Sequence, residues 1–170
     1  FQKATEADPR NAPSWQAWAV MEKENRNFDR ARELFQKATE VDTRNAQSWQ
    51  AWALMESQNG DRKAAKALLE RGLKSVCNQK DRSYLLSTMG GLIARQRDYD
   101  QAIQCYAEAL KLDEPNPMTH YHFAVDCLLP AMKREEACQH LRRALQLRPR
   151  KKRDLERIQQ ALEKSCNQIS

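Results

Sequence analysis

The sequence contains one tryptophan-rich phrase twice, and this repetition constrains the fold more than any other feature. SWQAWAVMEKEN at 14–25 returns as SWQAWALMESQN at 48–59. When residues 1–34 are aligned with residues 35–68, 21 of 34 positions are identical. A period of this length is typical of helix–turn–helix modules, which cannot bury their apolar face alone and stack on copies of themselves.

Residue spacing within the phrase predicts an amphipathic first helix in each repeat. One stripe, at positions i, i+3, i+4 and i+7, contains Trp15, Trp18, Ala19 and Glu22. Asn11 and Asn45 are suited to cap the starts of these helices, and Pro13 falls in the first turn, where its missing N–H costs little. We expect the tryptophans to pack between successive helix pairs, and Glu22 and Glu56 to have structural hydrogen-bond or ion-pair partners.

A second helix follows in each repeat, and small residues mark where two helices approach closely. Its apolar positions are Ala31, Leu34, Phe35 and Ala38. The chain has only four glycines and six prolines among many good helix formers. The predicted fold is therefore all-α, a solenoid of stacked antiparallel helix pairs.

The same frame predicts one repeat array over the whole chain. Later repeats have drifted but keep small, aromatic and proline positions at Gly90, Ala102, Tyr106, Ala137 and Pro149. The predicted divisions are the second helix of a truncated repeat at 1–11, four repeats at 12–45, 46–81, 82–116 and 117–150, and a C-terminal capping helix at 151–170. Because Phe1 falls inside a predicted helix, we expect further residues upstream in a longer parent protein.

Small residues at the helix contact, an aromatic residue or Leu four positions after Ala102 or Ala137, and a closing proline resemble the tetratricopeptide repeat (TPR). The first repeats, with paired tryptophans followed by Met-Glu, resemble the half-a-TPR (HAT) variant. The TPR resemblance implies that the α-solenoid is right-handed. It also implies a non-enzymatic scaffold that binds a protein or peptide in a concave groove, such as the sensor or docking arm of a multidomain protein. The HAT resemblance implies an alternative, RNA binding in RNA processing or stabilisation.

In a TPR-like array, the first-helix residues that miss the core stripe line the concave side. We call this set the predicted wall: Gln16, Val20, Lys23, Gln50, Leu54, Ser57, Tyr84, Ser87, Arg95, Met118, Tyr121 and Val125. TPR domains that hold a C-terminal carboxylate place Lys and Asn here, so Gln16, Val20 and Gln50 argue against that ligand. The near-neutral wall favours a protein or peptide partner over RNA, which needs positive charge along the groove.

Positive charge is concentrated near the C-terminus. Residues 133–153 carry a net charge of +7, although the whole chain carries only +6. A basic segment attracts phosphates, acidic peptides or anionic surfaces, but a solvated helix face is the simpler explanation. We call the following residues the basic segment: Arg142, Arg143, Arg148, Arg150, Lys151, Lys152 and Arg153.

Other residue types give little reason to expect catalysis, a cofactor or a metal. Nucleotide-binding, nucleophile-elbow and zinc-protease motifs do not occur in the sequence, and His120, His122 and His140 lack the spacing of a zinc site. We therefore expect no small-molecule substrate. Five scattered cysteines without a CxxC pair suggest reduced thiols. With no apolar run long enough to cross a bilayer, these features predict a soluble, cytoplasmic protein without a membrane partner.

Overall fold

A computed structural model describes residues 8–166, and the prediction for residues 1–11 lies largely outside this range. The chain divides into an N-terminal unit, which ends at Asp81, and a C-terminal unit, which begins at Arg82. Throughout the described range the regular structure is helical and contains no strand. Among these helices, none is both long enough and apolar enough to cross a membrane.

Over residues 8–78, the N-terminal unit contains four helices, in two hairpins. They are α1 (Ala12–Glu24), α2 (Phe28–Val41), α3 (Ala46–Gln58) and α4 (Arg62–Ser75). Both predicted asparagine caps are confirmed: Asn11 Oδ1 accepts from the Ser14 N–H at 3.0 Å, and Asn45 Oδ1 accepts from the Ser48 N–H at 3.1 Å. Each cap satisfies a backbone donor that the first helical turn leaves without a partner.

A left-handed residue closes the turn inside each hairpin. Arg26 has φ 62° and Gly60 has φ 92°. The following N–H groups, of Asn27 and Asp61, donate to the Glu22 and Glu56 carbonyls at 2.9 Å each. This is the Schellman pattern of a helix C-terminus, and it allows α1 to reverse into α2 and α3 into α4 over only three residues.

Apolar residues from both copies form the core of the N-terminal unit. Its buried cluster is Trp18, Ala19, Ala31, Leu34, Phe35 and Met55. Trp15 and Trp52 pack against this cluster while remaining partly exposed, and Trp49 is buried elsewhere in the same unit. The prediction that the tryptophans pack in the helical core is confirmed, with the difference that only Trp18 and Trp49 are buried, while Trp15 and Trp52 remain partly exposed.

The C-terminal unit contains the remaining helices. They are α5 (Gln79–Ala94), α6 (Tyr99–Leu112), α7 (Pro117–His122), α8 (Arg134–Gln146) and α9 (Lys152–Cys166), and α7 continues into a π-helical turn at Phe123–Leu128. Tyr106 of α6 is completely buried, and a Cβ on Gly90 of α5 would lie 2.9 Å from its ring. Glycine at position 90 therefore allows the two helices to approach each other.

A disulfide joins α8 to α9 and corrects the prediction of reduced thiols. It links Cys138 and Cys166, which are 28 residues apart in sequence. Spacing alone could not reveal this pair, because the two cysteines meet only when α9 folds back along α8. Cys77 and Cys127 do remain thiols. The cytoplasmic location stays a prediction, but the expectation that all five cysteines are reduced no longer supports it.

Candidate interaction surfaces

The indole N–H groups have the same hydrogen-bond partners in both copies of the tryptophan phrase. Trp18 Nε1 donates to Glu22 Oε1 at 2.9 Å, and Trp52 Nε1 donates to Glu56 Oε1 at 3.0 Å. The other tryptophan of each pair donates to a backbone carbonyl six residues earlier. These bonds fix all four rings as parts of the repeat.

Glu56 and Arg32 connect the two copies. Arg32 Nε and Nη2 donate to the two carboxylate oxygens of Glu56 at 2.8 and 3.1 Å. Glu56 is buried, and its hydrogen bond is the main cause of a raised Arg32 pKa. In the first copy, Asn27 and then Trp18 donate to Glu22 and lower its pKa. The structural role predicted for both glutamates is confirmed.

Cations cover the faces of three tryptophans. Lys37 Nζ lies 4.8 Å from the Trp15 ring centre, and the Arg71 guanidinium lies 5.1 Å from that of Trp49. Arg30 lies similarly over Trp18. Such contacts contribute about 0.5–1 kcal/mol at exposed sites. Because cations of this chain already cover these rings, the tryptophans are poor candidates for stacking on a ligand.

A pocket of about 290 Å³ lies beside the Arg71–Trp49 contact and was not predicted from the sequence. Its lining residues are Gln36, Thr39, Glu40, Thr43, Trp49, Arg71, Lys74 and Ser75. One sequence signal could have indicated it: a cation follows the first tryptophan of each phrase by 22 residues, as Lys37 follows Trp15 and Arg71 follows Trp49. The pocket mixes both signs of charge and is open to solvent.

In the N-terminal unit, the predicted wall residues are half-exposed positions of α1 and α3. They are Gln16, Val20, Lys23, Gln50, Leu54 and Ser57. Gln16 Oε1 accepts a hydrogen bond from Ser48 Oγ at 3.3 Å, which links the two helices beside this surface. Val20 also packs against the core cluster, so only part of its side chain is available to a partner.

The C-terminal unit places its predicted wall residues less uniformly. Ser87, Met118 and Val125 are half-exposed, and Tyr84 and Arg95 are exposed. Tyr121, however, is only 9% exposed. The guanidinium of Arg157, on α9, lies 5.0 Å from the centre of its ring. Access to Tyr121 therefore depends on the position of the last helix.

Most of the basic segment is exposed and has no acidic partner. Arg143 contacts Glu114 at 2.7 Å, and Lys152 lies 3.9 Å from Glu156. The other five residues form no ion pair with any carboxylate in the described range: Arg142, Arg148, Arg150, Lys151 and Arg153. This segment retains charge that can attract an anion.

Two of the three histidines form a pair in which His120 is buried and His140 is half-buried. His120 Nδ1 and His140 Nδ1 are 2.8 Å apart, and His120 Nε2 is 3.1 Å from the Glu114 carbonyl. Burial lowers the pKa of both rings, and the neighbouring His140 further lowers that of His120. Within residues 8–166, no group of three acidic, histidine or cysteine side chains is arranged to hold a metal ion.

Comparison with known families supports the repeat interpretation. The tetratricopeptide repeat family model matches residues 92–116. The matched stretch runs from the end of α5 through α6 and the loop before α7, and it includes the predicted repeat positions Ala102, Tyr106 and Pro115. No curated protein sequence matches the chain.

Solved TPR-like structures share the fold of nearly the whole chain. PilF of Pseudomonas aeruginosa has a TM-score of 0.70 at 23% identity, over 96% of this chain and 72% of PilF. PilW, described as a type IV pilus biogenesis factor, has a TM-score of 0.73 at 16% identity, over 99% of this chain and 76% of PilW. The resemblance to the TPR superfamily and the all-α helical-repeat fold class are confirmed. The HAT assignment of the first repeats stays a prediction.

A third structure with this fold was solved with an RNA-like ligand. It is a monomeric mutant of IFIT1 with Gppp-AAAA, with a TM-score of 0.68 at 16% identity. The match covers 97% of this chain but only 42% of IFIT1. Because identities this low show the fold alone, the shared architecture does not decide between a protein and an RNA partner.

Proposed function

We propose that the chain is a non-enzymatic repeat scaffold that binds a protein or peptide partner along the predicted wall, as part of a larger multidomain protein. One observation supports this most: wall positions at the same place in the repeat, such as Val20 and Leu54, are half-exposed on neighbouring helices, while the tryptophans beside them are engaged within the fold. Such a surface offers ordered, partly apolar positions to an extended or helical peptide.

Charge supports a polypeptide partner over RNA at this surface. In the N-terminal unit, the wall carries one cation, Lys23, among amide, hydroxyl and aliphatic side chains. A phosphate backbone is held mainly by many cations along its path. The exposed basic segment, which lies near the C-terminus, favours RNA binding as the second candidate function.

A peptide selection tests the proposal. Peptides enriched from a random library on the intact chain should bind at least about tenfold more weakly to a variant with Lys23→Glu and Ser57→Glu, because both changes place charge on the wall. The matched control, Lys66→Glu with Gln47→Glu, alters net charge equally at exposed positions outside the wall and should bind like wild type. Melting temperatures of both variants verify folding.

The same experiment includes an RNA arm. Fluorescence anisotropy with a single-stranded RNA probe is measured at two salt concentrations. We expect no binding at physiological salt. Tight binding that weakens steeply with salt, and that disappears when Arg150, Lys151 and Arg153 become serine, would replace the scaffold proposal with RNA binding.

A further inference from the structure

We propose that the Cys138–Cys166 disulfide is a reversible latch that holds α9 over Tyr121 and so controls access to this end of the predicted wall. The inference rests on the proposed function only in calling Tyr121 a partner-contacting residue. The latch itself rests on the contacts of α9, all of which lie within the C-terminal unit.

Besides the disulfide, α9 is held along α8 by a narrow apolar stripe. Across its 15 residues, Ile158 alone is fully buried, and Leu155 and Leu162 are half-buried. Arg134 Nε of α8 also donates to the Ser165 carbonyl near the end of α9. A helix with one buried anchor and a largely polar surface has little apolar area to keep it in place.

The disulfide lies where it can compensate for this weak packing. Cys138 is buried within α8, while Cys166 is the last residue of α9. The bond therefore ties the far end of α9 to α8 and closes a loop that includes the basic turn between the two helices. Closing such a loop limits how far α9 can move away from α8.

Arg157 connects the latch to the wall. It lies on the α9 stretch between the basic turn and Cys166, and its guanidinium covers the Tyr121 ring. Tyr84, another tyrosine of the predicted wall, is 37% exposed, whereas Tyr121 is 9% exposed. Release of α9 would remove this cover and present the Tyr121 ring to a partner.

The chemistry of the latch is a thiol–disulfide exchange. A dithiol reductant attacks one sulfur of Cys138–Cys166, the S–S bond breaks, and a mixed disulfide forms. The second thiol of the reductant then displaces the remaining protein sulfur. Two electrons and two protons pass to the protein, which gains two thiols, and the reductant leaves as its own disulfide.

Tyrosine acetylation by N-acetylimidazole, followed by peptide mass mapping, tests the latch without any partner. We expect Cys166→Ser to raise the rate of Tyr121 acetylation by roughly tenfold or more. Closing a loop of this length with a disulfide stabilises the closed position of α9 by at least that factor. The matched control Cys77→Ser removes an exposed thiol outside the disulfide and should leave the rate unchanged. Tyr84 and buried Tyr106 serve as fast and slow internal references.

Hydrogen exchange provides a second measurement on the wild-type chain. Dithiothreitol should accelerate amide exchange across residues 152–166 and leave α5 and α6 unchanged. The latch is refuted if Cys138 and Cys166 both alkylate in unreduced protein. It is also refuted if Tyr121 acetylation and α9 hydrogen exchange both stay unchanged after reduction and in Cys166→Ser. A chain that passes these tests yet binds no peptide has a working latch and a wrong proposed function.

Discussion

In the N-terminal unit, two similar copies meet through indole rings and the Arg32–Glu56 ion pair, in which only Glu56 is buried. The C-terminal unit instead joins its helices by glycine–tyrosine packing, a histidine pair and a disulfide. Arg32 and Glu56 link α2 to α3 in the N-terminal unit. At the position 34 residues after Glu56, the chain has Gly90, which accommodates Tyr106. Helices therefore approach each other closely at this repeat position in both units, although an ion pair joins them in one unit and glycine–tyrosine packing in the other.

The largest expected effect is on the tryptophan packing of the N-terminal unit. Trp49→Ala removes a ring that is 3% exposed and should lower the free energy of unfolding by about 3–5 kcal/mol. Urea denaturation followed by circular dichroism measures the change. A loss of unfolding free energy below about 1 kcal/mol would mean that the Trp49 ring is not part of the core. Tryptophan packing would then no longer distinguish the N-terminal unit from the C-terminal unit.

The ion pair between the copies should have a smaller effect. Arg32→Met leaves the buried Glu56 carboxylate without its guanidinium and should cost about 2 kcal/mol, less than a fully buried pair because Arg32 remains partly exposed. Glu33→Gln, which breaks the exposed Arg30–Glu33 pair but leaves Arg30 over Trp18, is the control and should cost about 0.5 kcal/mol or less. If both variants lose the same free energy of unfolding, the Arg32–Glu56 pair does not distinguish the N-terminal unit from the C-terminal unit.

The corresponding change in the C-terminal unit concerns Gly90. A methyl group at this position would lie 2.9 Å from the Tyr106 ring, so Gly90→Ala should destabilise the protein by about 1–2 kcal/mol despite the better helix propensity of alanine. Thermal unfolding measures the difference. A rise in melting temperature would show that Tyr106 can move aside and that the close approach is not required.

The smallest expected effect is a pH dependence specific to the C-terminal unit. Because the pKa values of His120 and His140 are lowered on folding, the unfolded chain binds more protons once the pH falls below about 6.5. Stability should therefore be full above that pH and decrease below it, until the folded-state pKa values are passed. Urea unfolding of wild type and His140→Phe between pH 7.5 and 5 measures this, and the variant should show a shallower decrease.

Control measurements for the pH effect use the third histidine. His122 contacts Asp126 at 3.0 Å on a half-exposed surface. His122→Asn should retain the wild-type decrease with falling pH. If this variant abolishes the decrease while His140→Phe preserves it, the His120–His140 pair does not control the pH dependence.

Helices and caps of the N-terminal unit were predictable because each depends on local chemistry. The tryptophan stripe and the asparagine caps both follow from residues close in sequence. Burial of Glu56 was predictable from its place on the stripe, but its partner Arg32 was not. That pairing needs the contact between the two copies, which spacing within one helix does not contain.

In the C-terminal unit, the tertiary contacts escaped prediction. The disulfide, the histidine pair and the cover of Arg157 over Tyr121 each join residues at least 20 positions apart. The wall was predicted from repeat phase alone, so Tyr121 was assigned to it like any other position. Only the packing of α9 shows that this residue is covered.

An NMR map of the intact chain with a library-selected peptide tests most directly whether the partner binds the predicted wall. We expect amide shifts to change along the wall of the N-terminal unit, around Lys23 and Leu54, and not at the pocket beside Trp49 and Arg71. Changes confined to Trp49, Arg71 and Lys74, or to residues 148–153, would contradict this expectation, because the partner would then bind a surface other than the predicted wall.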